Sequence, residues 1–146
     1  MEDSGTEVVD GIVIRLAVRS DDTDFMVNGL VADAGDFALN TKERERVTNG
    51  DGIGTISVWD SRLATAEQAD AFLEPKKRIS FRLDVNLVRA LPFDLHVVRE
   101  PLDDARQGAG GHCGLQDVWR SNKAVRRQIQ GRLALLAGTG TLLSRN

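Results

Sequence analysis

Apolar residues recur at every second position from Ile12 to Val18. Ile12, Ile14, Leu16 and Val18 fall on one face, with Val13, Arg15, Ala17 and Arg19 on the other. Successive side chains of a strand point to opposite faces, so this alternation predicts a half-buried strand. The same period returns in Ile53–Trp59, in Ile79, Phe81 and Leu83, and in Leu95–Val98. Asp36–Leu39 is a shorter candidate. His112–Trp119 reads as another strand, with Cys113, Leu115 and Trp119 on one side. Asp117 falls on that side too, so the strand bulges or ends there.

Elsewhere the period lengthens to that of a helix. Thr65 and Gln68 form a capping box ahead of Ala66, Ala69, Phe72 and Leu73, and Pro75 closes the segment. Asp84 caps a short helix from Val85 to Leu91, stopped by Pro92. Phe25, Met26, Leu30 and Val31 are compatible with a helix or an irregular loop. From about Ser121, Val125, Ile129, Leu133 and Leu136 lie within ~80° of one another on a helical wheel, an apolar stripe. Ser121 or Asn122 caps this helix, and Gly138-Thr139-Gly140 ends it. Arg132 falls within the stripe and must reach water or an acid. The pattern predicts one α+β domain over residues 11–146. It has an antiparallel or mixed sheet of about five strands and two to four helices on one face, and it ends in a basic amphipathic helix. Residues 1–10 are polar and acidic and read as flexible.

Composition changes this picture in one respect. The net charge of −3 conceals a split: residues 1–104 carry a net −9, and residues 105–146, with seven Lys and Arg against Asp117 alone, carry +6. The helix therefore presents a basic face on an acidic protein. Lys123, Arg126 and Arg127 cluster opposite the stripe, with Arg120 nearby. Such a face suits an acidic protein partner. No apolar run reaches the ~20 residues that cross a bilayer. The start of the chain is acidic where a signal peptide is basic, and a single cysteine excludes an internal disulfide; both suggest a cytoplasmic setting.

Candidate chemistry gathers near the end of the chain. The glycine-rich Gly108-Ala109-Gly110-Gly111 reads as a hinge before His112 and Cys113. As neighbours on a strand, His112 and Cys113 point to opposite faces, which argues against a Cys–His nucleophilic pair. His112 is the candidate general acid or base of a small hydrolase or nuclease, assisted by His96 or Asp117, with Arg120 or Lys123 opposite negative charge. No metal-ligand spacing is present, and no cofactor is implied. Asp21-Asp22-Thr23-Asp24 lacks the glycine and glutamate of a calcium loop, since Val27 and Asp33 stand there. Asn49-Gly50-Asp51-Gly52 reads as a hairpin turn rather than a phosphate loop. Weak nucleic-acid binding by the helix is a further alternative, although stacking aromatics are scarce. The leading expectation is an accessory protein without catalytic activity, acting by contact through the hinge and the Arg-rich helix.

Overall fold

The computed structural model describes residues 5–18, 30–39, 44–45, 54–118 and 122–143. Their strands are β1 (Glu7–Val8), β2 (Ile12–Val18), β3 (Ile56–Asp60), β4 (Arg78–Asp84), β5 (His96–Arg99), β6 (His112–Gln116) and β7 (Thr141–Leu142). The helices are α1 (Ala66–Asp70), α2 (Val85–Ala90) and α3 (Lys123–Ala137). All seven strands form one antiparallel sheet in the order β1-β5-β6-β3-β2-β4-β7. The class is α+β, with two more strands than the pattern suggests. The additional pair are the edges, each two residues long. Glu7 and Val8 lie within the stretch expected to be flexible, where they pair with Val98 and Val97.

Each face of the sheet is covered by a different part of the chain. On one face Val13, Val58, Cys113, Leu115, Leu83 and Val97 meet α2 and α3, through Val85, Val88, Ile129 and Leu133. On the other face Ile14, Leu16 and Trp59 meet α1 and its flanks, through Ala69, Phe72 and Leu73. Helices thus cover both faces rather than one. β2 is accordingly buried on both sides, and its outward alternate, Arg15, is drawn inward. Arg15 Nε, Nη1 and Nη2 donate to the carbonyls of Asp36, Ser57 and Ala38 at 2.9, 3.1 and 3.3 Å. Burial depresses its guanidinium to about 10 against the opposing pull of Asp36.

Local chemistry sets the helix ends. Thr65 Oγ1 accepts from Gln68 N while Gln68 Oε1 accepts from Thr65 N, completing the capping box. Asp84 accepts from Asn86 N and Leu87 N. Asn122 accepts from Ala124 N and Val125 N, and Gly138 ends α3 at φ 63°. Residues 36–39 are not a strand. Ala34–Phe37 form a 3-10 turn, in which the Asp36 carboxylate accepts from Asp33 N at 2.8 Å. The turn places Phe37 and Leu39 in the core.

Residues 108–111 are likewise packed. Ala109–Gly111 form a 3-10 turn against the residues leading into α1. A Cβ on Gly111 would stand 2.9 Å from that of Ala64, so only glycine permits this approach. Arg78 begins β4 and is buried. Its Nη1 meets Asp70 Oδ1 at 3.0 Å and the Glu74 carbonyl at 2.6 Å. The acidic run 21–24, the glycine-rich turn 49–53, and Phe25, Met26, Trp119, Arg120 and Ser121 lie outside the described residues.

Candidate functional site

β6 runs beside β3 with His112 opposite Trp59, Cys113 opposite Val58 and Gly114 opposite Ser57. His112, Gly114, Ser57 and Trp59 therefore share the face that carries α1, while Cys113 enters the core beneath α3. The separation of His112 from Cys113 follows from strand alternation alone. Cys113 is fully buried, burial pushes its thiol up to about 11, and its Sγ donates to the Gly111 carbonyl. A thiol in that state is a small hydrophobe, not a nucleophile.

His112 is held on three sides. Its ring meets Trp59 edge-on, centroids 4.9 Å apart. Trp59 stacks on Phe72 at 5.5 Å, and the Arg106 guanidinium lies 4.3 Å from the Phe72 ring centre. Nδ1 of His112 lies 2.8 Å from the Glu100 carbonyl, and Nε2 lies 3.1 Å from Ser57 Oγ. A carbonyl only accepts, so Nδ1 carries a proton. In the neutral ring Nε2 is then the acceptor for the Ser57 hydroxyl. Ser57 is exposed, while its cross-strand neighbour Gly114 is buried beneath the Glu100 and Thr55 side chains. A methyl group on Gly114 would collide with the Glu100 carboxylate and the Thr55 side chain. Ser57 and Glu100 were not legible as site residues. Ser57 occupies the polar position of an alternating strand, which is also the pattern of a merely solvated face.

His96 belongs to a different cluster. It faces Gln116 across the sheet, four residues along β6 from His112, a separation of about 13 Å along the strand. Its Nδ1 meets Glu7 Oε2 at 2.8 Å and its Nε2 meets Asp94 Oδ1 at 3.0 Å. The hydrogen bond to Glu7 leads the effects that raise its pKa, with Asp94 adding to it against a contrary effect of burial. Arg89 Nε reaches the same Glu7 oxygen at 3.4 Å. Asp94 sits at φ 56°, an uncommon conformation for a residue with a side chain. Beside it opens a depression of about 680 Å³ lined by Arg89, Leu91, Pro92, Phe93, Asp94 and Val125. Asp117 follows β6 at φ 65°, at the end away from His112. The structure therefore does not bring His112, His96 and Asp117 to one place. Among the described residues, no three His, Cys, Asp or Glu side chains are grouped to hold a metal ion.

A third constellation lies at the far end of β3. Burial alone would raise the Asp60 carboxyl. The hydrogen bonds and charge of Arg62, with a hydrogen bond from Arg99, outweigh burial and hold it below its ordinary range. Arg62 spans both Asp60 oxygens at 3.1 Å, and Arg99 Nη2 reaches Oδ2 at 2.9 Å. Arg62 also reaches Asp10 at 3.1 Å, so the network ties the chain's first residues to β3 and β5.

On α3 the buried arc holds Ile129, Gln130, Leu133 and Ala134, with Val125 and Leu136 half-buried at its edge. The Gln130 side-chain amide N–H donates a hydrogen bond to the Phe37 carbonyl at 3.4 Å. This rotates the helix relative to the expected stripe. Arg126 turns inward and is half-buried, whereas Lys123, Arg127 and Arg132 are exposed and make no ion pair among the described residues. Leu135, on the same outer arc, is 78% exposed. No helix among the described residues is long and apolar enough to cross a membrane. No family model, curated protein or solved structure matches this chain.

Proposed function

We propose that the protein works by contact with another protein that presents an acidic surface, through the outer side of α3. One observation carries this reading: Lys123, Arg127 and Arg132 are exposed and unpaired among the described residues on a helix with no acid of its own, and exposed Leu135 follows one turn after Arg132. Exposed charges each contribute at most about 1 kcal/mol, so their part is orientation and encounter rate. Burial of Leu135 would contribute roughly 1.5–3 kcal/mol, which makes it the anchor. The depression between α2 and α3, floored by Phe93 and Val125, offers a second apolar foothold for a partner side chain. Residues 108–111 are packed against Ala64, so the reading rests on the helix and not on a hinge. A cytoplasmic setting accords with a single free cysteine.

Charge reversal tests the reading. Lys123→Glu, Arg127→Glu and Arg132→Glu together abolish partner capture while leaving the fold intact, because none of the three is buried. Arg126 is left unchanged, since it is half-buried and engaged within the fold.

A further inference from the structure

Ser57 and His112 meet as a nucleophile and its base do. The hydroxyl and Nε2 are 3.1 Å apart, within the range of a productive proton transfer. The imidazole is oriented by a third group, the Glu100 carbonyl at 2.8 Å, which fixes the proton on Nδ1 and leaves Nε2 to receive one. The edge contact with Trp59 stops the ring from turning away. Ser57 is exposed on a strand rather than a loop, and the Glu100 carboxylate and Thr55 side chain lie over its cross-strand neighbour Gly114. Nothing in the contact role assigned to α3 uses these residues.

We propose that Ser57 and His112 form an acyl-transfer site for small uncharged or cationic esters. The preference for uncharged or cationic groups comes from the Glu100 carboxylate, which lies over Gly114 next to Ser57 and repels an anionic acyl group. In the reaction Ser57 Oγ adds to the ester carbonyl carbon as its proton passes to His112 Nε2, and the carbonyl electron pair moves to oxygen. The tetrahedral adduct collapses, the bond to the alcohol oxygen breaks, and His112 returns the proton to the leaving alcohol. Water then adds to the acyl-Ser57 carbonyl with His112 again taking a proton. The adduct collapses, the bond from the acyl carbon to Oγ breaks, His112 returns its proton to Oγ, and the carboxylic acid leaves. The sum is ester plus water to acid plus alcohol.

The test uses the full chain with a fluorophosphonate probe and, separately, p-nitrophenyl acetate. Attack on the probe forms one Oγ–P bond and expels fluoride. The expected result is one phosphonyl group per chain, mapped to Ser57 by peptide mass spectrometry and absent from Ser57→Ala. His112→Gln is expected to lower the labelling rate ~100-fold or more, the usual worth of a positioned base. Ester hydrolysis should fall in parallel in both variants. The idea is overturned if the folded wild-type chain takes up no label, or if Ser57→Ala is labelled equally. It is also overturned if His112→Gln, shown folded by its melting curve, reacts at the wild-type rate. The wild-type result alone decides the matter if a variant fails to fold.

Discussion

Glu7 Oε2 lies 2.8 Å from Nδ1 of His96, and this contact joins the first described strand to the sheet across 89 positions of chain. His96 is also within 3.0 Å of Asp94, so both ring nitrogens face carboxylates. Only the imidazolium donates to both. The folded pKa of His96 stands above its ordinary value of 6.5, chiefly through Glu7. The stabilisation it brings is fully present below pH 6.5 and is lost as pH rises through the folded value. Glu7 is depressed below 4.5, chiefly by its hydrogen bond from His96, so its contribution is present above pH 4.5 and is lost as pH falls through its folded value. The contact is therefore strongest between those limits. Melting temperature measured against pH should fall above pH 6.5 in the wild type, and this limb should be missing from His96→Gln. Hydrogen exchange at the Gly5 amide, which donates to the Arg99 carbonyl, should quicken over the same range.

Arg78 and Asp70 form a buried pair, both side chains being less than a tenth exposed. Removing one charge leaves the other desolvated. Asp70→Ala is expected to cost about 3–5 kcal/mol in denaturant unfolding. Lys76→Ala, which breaks the exposed pair with Glu74, should change stability by less than about 1 kcal/mol. Equal effects from the two substitutions would contradict the assignment of Arg78 to the interior.

Two glycines should respond with opposite sign. A Cβ on Gly131 in α3 meets nothing within 4 Å, so Gly131→Ala should stabilise the chain by about 0.5–1 kcal/mol. A Cβ on Gly140 would stand 2.6 Å from the Ser80 carbonyl and closer still to Ile79, so Gly140→Ala should destabilise by about 1–3 kcal/mol as β7 is pushed off β4. Chemical unfolding of the two variants checks both signs.

How much of this was legible depended on where the partners lie in the chain. The alternation of Ile79, Phe81 and Leu83, the Thr65–Gln68 box and the Asp84 cap carry their information within a few residues, and the structure follows them. The edge strands do not: Glu7–Val8 and Thr141–Leu142 are too short to show a period, and they exist because β5 and β4 supply hydrogen bonds. Half-buried Arg15 and buried Arg78 and Asp60 were hidden for a related reason, since a charged residue announces exposure unless its distant partner is known. In α3 the stripe was visible but not its rotation, because buried Gln130 donates its hydrogen bond to the Phe37 carbonyl, 93 residues away. Strand alternation sufficed to part His112 from Cys113, yet nothing in the sequence linked His112 to Ser57, 55 positions earlier.

Quantitative partner capture distinguishes the outer side of α3 from the rest of the surface. Immobilised wild-type chain is compared with the Lys123→Glu, Arg127→Glu, Arg132→Glu variant and with Arg82→Glu, a reversal of an exposed residue on β4. Partners should be retained by wild type and by Arg82→Glu, eluted by salt, and lost from the α3 variant. Identical capture by all three proteins, or no capture by the wild type, would contradict a contact role for the outer side of α3.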